Sequence, residues 1–186
     1  MDIFSRIADK YDNIVGAFNI EEIGGSLPLE EKELLLDFGG GTGRAAQHLE
    51  EIVNGCIILD RSFEMLQQAA KKSIRSLLVQ GLCEALPFRK NSIKQIFAND
   101  TLHHLKKQQE SLEECYEALT PKGKLTIREF DKRKFRVKLL IFFEKIVRFD
   151  SKFFSPKELL DLCQKIGFES KFISLTKTTY LIVGEK

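Results

Sequence analysis

Short apolar runs alternate with amphipathic stretches along this chain. Residues 34–38 ("LLLDF"), 56–60 ("CIILD"), 76–80 ("SLLVQ"), 92–98 ("SIKQIFA") and 124–130 ("KLTIREF") are aliphatic-rich and too short for helices. They are expected as strands, mostly buried on both faces. Between them, helical spacing is expected over 43–53, from the Ser62 cap to about Lys72, and over 106–119, ending before Pro121 and Gly123. Ser155 caps a further helix that carries Pro156 at its first position and runs to about Ile166, where Gly167 stops it. The stretch 172–186 has apolar runs on either side of "TKTT" and is expected to close the fold as a hairpin.

Strand–helix alternation of this kind implies an α/β fold with a mainly parallel sheet covered on both faces and a terminal antiparallel hairpin. In open sheets of this type ligands bind beyond the carboxyl ends of the strands. Four glycines, Gly39, Gly40, Gly41 and Gly43, stand at that edge between the first strand and the next helix. Missing side chains let a ligand approach the backbone, and the free amides of a helix start favour an anionic or polar group.

With 186 residues, 43% hydrophobic and 30% charged, one domain with a sizeable core is expected. No apolar run approaches the ~20 residues that span a bilayer. The opening "MDIFSRIADKYDNIVGAF" carries early acids and no signal-peptide pattern, which makes the cytoplasm the expected compartment. Cys56, Cys83, Cys115 and Cys163 lie far apart and form no CxxC pair, so neither a metal site nor a disulfide framework is expected. Net charge is +2, unevenly spread: residues 1–100 hold 11 basic and 15 acidic side chains, residues 101–186 hold 18 and 12.

The glycine corner lacks the lysine of a phosphate-cradling GxxxxGK loop. "GTGRAA", Gly41 to Ala46, satisfies the looser dinucleotide form GxGxxA, and Asp60 ends the second strand where a ribose-binding acid is expected, so a nicotinamide cofactor fits the pattern alone. The wider context is more specific. "DFGGGTG" resembles the first motif of class I S-adenosylmethionine-dependent methyltransferases. "CIILDRSFEMLQQA", "QGLCEALPF", "IFANDTLHHL" and "LTPKGKLTI" resemble that family's later segments in the same order, covering about residues 34–130. The resemblance implies a Rossmann-like, mainly parallel seven-stranded sheet and S-adenosylmethionine as cofactor. It implies that Gly39, Gly40 and Gly41 face the methionine part with Asp37 holding the loop, and that Asp60 accepts both ribose hydroxyls. Arg61 and Ser62 would flank the adenine, Met65 would cover its face, Cys83 would donate its amide with Glu84 beside it, and Asn99 would meet the cofactor from the fourth strand's tip. Where relatives often carry an acid after the glycine of the "QG" step, this chain has Leu82.

Asp100, His103 and His104 at the fourth-strand tip are candidate bases, and histidine titrates near neutrality. Adjacent positions on a helix or turn point about 100° apart, so at most one histidine is expected to face a pocket. "FSRIADKYDNIVGAFN", residues 4–19, resembles the opening of quinone and related small-molecule methyltransferases, which implies a lid segment over residues 1–25 that brings Tyr11 and Asp12 across the site. Phe4, Ile7, Ala8, Tyr11 and Val15 would also line one helical face. "ANDTLHHL" lacks the glycine- and arginine-containing stretch of the quinone-ring enzymes and has the form of the broad small-molecule group.

An insert over 131–154 carries apolar residues Phe135, Leu139, Phe142, Ile146 and Phe149 at helical spacing, among Lys132, Arg133, Lys134, Arg136, Lys138, Lys145 and Arg148. It is expected to wall a greasy acceptor pocket, to form a homodimer seam, or to touch an anionic membrane surface. The expected function is methyl transfer to a small, partly hydrophobic acceptor by a monomer or homodimer, without nucleic acid. The rivals are an NAD-dependent oxidoreductase, a nucleic-acid methyltransferase and a non-catalytic S-adenosylmethionine-binding protein.

Overall fold

The computed structural model describes residues 3–72, 75–146 and 151–186. The five expected strands are β1 (Leu35–Phe38), β2 (Cys56–Asp60), β3 (Leu77–Gln80), β4 (Ile93–Asn99) and β5 (Leu119–Phe130). They pair parallel to one another, and β6 (Glu169–Ser174) and β7 (Thr179–Glu185) complete a seven-stranded sheet in the order β3-β2-β1-β4-β5-β7-β6. Strand β7 pairs antiparallel with both β5 and β6, which is the closing hairpin expected from 172–186.

Side chains alternate across this sheet with the period of two that strands impose. Leu36, Phe38, Leu59, Ile96 and Ile127 pack on one face, against α6 (Gln108–Ala118) and α8 (Pro156–Ile166). Leu35, Ile58, Phe97 and Leu181 pack on the other, where α4 (Ala46–Leu49) and α5 (Phe63–Lys72) lie. Helix α8 begins as its sequence dictates: Ser155 Oγ accepts from the Glu158 amide, the Glu158 carboxylate accepts from the Ser155 amide at 2.7 Å, and Pro156 stands in the first turn. All four cysteines are buried free thiols.

Three local expectations shift. The helix expected over 43–53 is regular only in α4. Gly43 has φ +71°, outside the helical region, and Glu50 turns inward to accept from Ser76 Oγ at 2.9 Å and from the Arg75 amide. Strand β5 starts at Leu119 instead of 124, because Leu119 already pairs with Ile93 before a register shift that brings Lys124 opposite Gln95. The amphipathic N-terminal helix is two short ones, α1 (Ile3–Ile7) and α2 (Tyr11–Val15), followed by α3 (Ile20–Ile23). Within the insert, α7 (Phe135–Ile146) is helical; Ile146, Phe149, Lys145 and Arg148 fall outside the described side chains.

Candidate active site

The carboxyl ends of β1, β2 and β4 open into a cavity of about 400 Å³. Its floor is the turn after β1. Gly39, Gly41 and Gly43 have φ of +66°, +56° and +71°, the left-handed region in which a side chain is strained. A Cβ at Gly41 would meet nothing nearer than Asp60 Oδ2 at 3.9 Å, so the missing side chain is open space that a ligand can fill. At Gly40 a Cβ would press on the Asp37 carboxylate, and at Gly39 on the Thr101 side chain. Gly39 also accepts a hydrogen bond from Thr101 Oγ1 at 3.0 Å, which ties the turn after β1 to the turn after β4.

Asp60 is held at the end of β2 by main-chain donors. Its Oδ2 accepts from the Gly41 amide at 3.0 Å and its Oδ1 from the Ser62 amide at 2.8 Å. The carboxylate is therefore oriented beside the glycine turn before any ligand arrives. Asp37 is fully buried, and neither of its oxygens has a hydrogen-bond partner. Burial pushes its carboxyl up to about 7; the Ala46 amide opposes the shift without reaching hydrogen-bond geometry, and the charge of Asp60 adds to it. Asp100, at φ +52°, is partly buried: one oxygen receives Arg128 Nη1 at 2.6 Å, and the other has no partner. Burial raises its pKa, and Arg128 counters part of the rise.

The N-terminal segment forms part of the wall. Ile3, Phe4 and Tyr11 line the cavity. The segment is tied down through Asp12, which accepts from Thr42 Oγ1 at 2.5 Å and pairs with Lys72, and through Arg44, whose Nη1 donates to the Gly16 carbonyl at 2.6 Å. The Arg44 guanidinium also lies over the Tyr11 ring, 5.6 Å from its centre. Burial raises the Tyr11 pKa, so its hydroxyl stays protonated at neutral pH.

The two histidines divide as their adjacency suggests. His104 lines the cavity; its ring meets Phe4 edge-on at 4.9 Å, and its Nδ1 lies 3.2 Å from Ser151 Oγ. Burial holds its pKa well below the ordinary value and the neighbouring His103 lowers it further, so the ring is neutral at physiological pH. His103 stands behind it, outside the cavity lining, stacked on Phe153 at 4.2 Å and hydrogen-bonded to Glu129.

Asp37, Gly39, Gly40, Gly41, Asp60, Arg61, Met65, Cys83, Glu84, Asn99, Asp100, Tyr11 and His104 thus converge on one cavity. Ser62 does not reach it: its hydroxyl caps α5 by accepting from the Met65 amide at 3.2 Å and pairs with Ser5 Oγ. Arg44, Thr101, Lys106 and Ser151 also line the cavity; Arg44 and Thr101 lie within quoted motifs but at positions those motifs leave unassigned, and Lys106 and Ser151 lie outside them. Leu82 is half exposed, and Glu84, two positions along the chain, lines the cavity. Among the described residues no group of His, Cys, Asp and Glu side chains could hold a metal ion.

The donor set suits a cationic nucleoside ligand. Orphaned carboxylate oxygens on Asp37 and Asp100 await a donor or positive charge, Asp60 is an oriented bidentate acceptor, and Gly41 leaves space beside it.

Known proteins resemble this chain in sequence and in fold. Residues 36–127 match the family model described as a methyltransferase domain. Over 172 residues the chain is 29% identical to the ubiquinone/menaquinone biosynthesis C-methyltransferase of Wigglesworthia glossinidia brevipalpis, covering 84% of this chain and 67% of that protein. With two further relatives of the same name the match spans 57% and 60% of their length, so this chain corresponds to about three-fifths of those proteins. A methyltransferase of Haloferax volcanii, solved in complex with the Trm112 methyltransferase activator, superposes with a TM-score of 0.87 at 19% identity, covering 100% of this chain and 98% of that one. An S-adenosylmethionine-dependent methyltransferase from Thermotoga maritima gives a TM-score of 0.81 at 24% identity, covering 99% and 98%. The chain therefore has the class I, Rossmann-like fold found in S-adenosylmethionine-dependent methyltransferases, and in sequence it is similar to methyltransferases of the ubiquinone/menaquinone type.

Proposed function

We propose that this protein methylates a small, partly apolar acceptor, with S-adenosylmethionine as donor. The observation that carries the proposal is that a single cavity joins the Gly41–Asp60 corner to a neutral, partly buried His104. When bound, S-adenosylmethionine supplies an electrophilic methyl group on a positively charged sulfur. Asp60 would accept from the two ribose hydroxyls, and the bare main chain of Gly39 and Gly41 would admit the methionyl arm. Asp37 would take the ammonium end and Arg44 the carboxylate. Met65, Arg61, the Cys83 amide and Glu84 would hold the adenine, with Glu84 supplying the acid that Leu82 does not, and Asn99 would close the set.

On the acceptor side, Phe4, Tyr11 and Leu105 offer apolar and aromatic surface that excludes water, as alignment of the two reactants requires. His104 would take a proton from an oxygen, nitrogen or activated carbon, with Ser151 fixing its ring. The names of the sequence relatives favour a ring of quinone type as the acceptor.

Calorimetry with the full chain tests the cofactor assignment. S-adenosylmethionine should bind saturably, NAD should not, and Asp60→Ala should weaken binding by about a hundredfold or more, because two hydrogen bonds to a charged acceptor go together. Incubation with phenols, quinones, amines and carboxylates, read by mass shift, tests turnover. Binding without methylation of any acceptor would leave a cofactor-binding protein and sink the enzyme assignment.

A further inference from the structure

Helix α7 is amphipathic in the unusual sense. Val137 is buried at 3% exposure, while the other side of the helix presents Phe135 at 81%, Leu139 at 48% and Phe142 at 58%. Spacings of four and three place these three on one stripe. By the same helical geometry Lys134 and Lys138 flank it on one side and Arg136 on the other. All three cations are exposed, and none has an ion-pair partner among the described residues. The neighbouring cations differ: Lys132 pairs with Glu158, and Arg133 pairs with Asp131 at 2.8 Å. Among the described residues, the cations at the base of the helix are thus paired with Asp131 and Glu158, while those beside the apolar stripe have no ion-pair partner.

We infer that the outer face of α7 docks on an anionic lipid bilayer, the apolar stripe entering the headgroup boundary and Lys134, Arg136 and Lys138 meeting lipid phosphates. Charge complementarity selects this occupant. A second copy of the chain would bring the same cations face to face across a two-fold seam, which costs energy, whereas an anionic surface rewards each of them. No described helix is long and apolar enough to cross a membrane, so the contact is peripheral. The insert also reaches the cavity, since Ser151 lines it. A docked molecule would therefore hold its acceptor site near the phase from which an apolar acceptor comes. The bilayer contact does not depend on the reaction proposed above.

The test is co-sedimentation of the full chain with vesicles of phosphatidylcholine alone and of phosphatidylcholine mixed with phosphatidylglycerol. Binding to the anionic vesicles, weakened by salt, is expected. The Phe135→Ser, Leu139→Ser, Phe142→Ser triple variant should lose at least tenfold in partitioning. The Lys134→Gln, Arg136→Gln, Lys138→Gln variant should lose about fivefold per cation on anionic vesicles. Three outcomes would overturn the inference: no binding to anionic vesicles, undiminished binding by both variants, or a wild-type dimer in sedimentation velocity that the serine variant dissolves. Because the readout is partitioning and not turnover, its failure is distinct from failure of the methyl-transfer proposal.

Discussion

His103 Nδ1 lies 2.7 Å from Glu129 Oε2, and the His103 amide reaches the other oxygen of the same carboxylate at 3.2 Å. Both side chains are buried, at 3% and 2% exposure. The carboxylate therefore fixes backbone and ring of the residue on which His104 rests, the two imidazoles lying 4.0 Å apart. Glu129→Ala would leave the imidazole buried without its acceptor and is expected to cost about 3 kcal/mol. Glu129→Gln keeps an acceptor and should cost less. Urea unfolding of the two variants checks the order; equal losses would show that the carboxylate is not what holds His103.

His104 is expected to matter for turnover and not for cofactor affinity. A general base contributes 10²–10⁴-fold, so His104→Ala should lower kcat/KM by about a hundredfold or more with little change in S-adenosylmethionine affinity. Because burial depresses its pKa, the acid limb of the wild-type profile should fall well below the 6.5 of an ordinary histidine. A limb at the ordinary value, or wild-type turnover in the variant, would remove His104 from the chemistry.

Asp37 makes a pH-dependent contribution of unusual sign. Its folded pKa is raised from 3.8 to about 7, so the folded state holds a proton that the unfolded chain has already lost. Its contribution to stability is full below the unfolded pKa and fades as the pH rises toward 7, by up to about 4 kcal/mol. Asp37→Asn has no such proton. The difference in unfolding free energy between wild type and variant should therefore move in favour of wild type on going from pH 7 to pH 4, measured by denaturant titration without cofactor. A flat difference would mean that the site solvates Asp37.

Arg128 is the counter-charge for Asp100 and also reaches Glu22 at 3.3 Å. Arg128→Met should destabilise by about 2 kcal/mol at neutral pH, since it strands a partly buried carboxylate. Protonation relieves that penalty, so the loss should shrink as the pH falls through the raised pKa of Asp100. Thermal melts of both proteins across this range would show it, and an equal loss at all pH values would contradict it.

The strand edges and the glycine turn were legible in the sequence because each is local. Aliphatic runs marked β1, β2 and β4 to within a residue, and the spacing of Asp37, Gly39, Gly41 and Asp60 belongs to one strand–turn–helix–strand unit. The capping box of Ser155 and Glu158 was also written within four positions. What required the third dimension was distant in sequence. Ser151 approaches His104 across 47 positions, Glu129 reaches His103 across 26, and Arg44 meets Tyr11 only because the N-terminal segment folds back over the turn. Periodicity revealed the stripe Phe135, Leu139, Phe142 but not its direction, because a pattern fixes a face and only the neighbours of Val137 decide which face is inward.

The contact between Gly39 and Thr101 sets a distance that no flexible loop could keep. One residue belongs to the turn that would hold the methyl donor, the other to the turn that leads to His104, and they touch with no room for a single added carbon. Donor and acceptor walls are thus gauged against each other by two neighbouring strands of the rigid sheet. Segments at the rim can vary to admit different acceptors while the span a methyl group must cross stays constant.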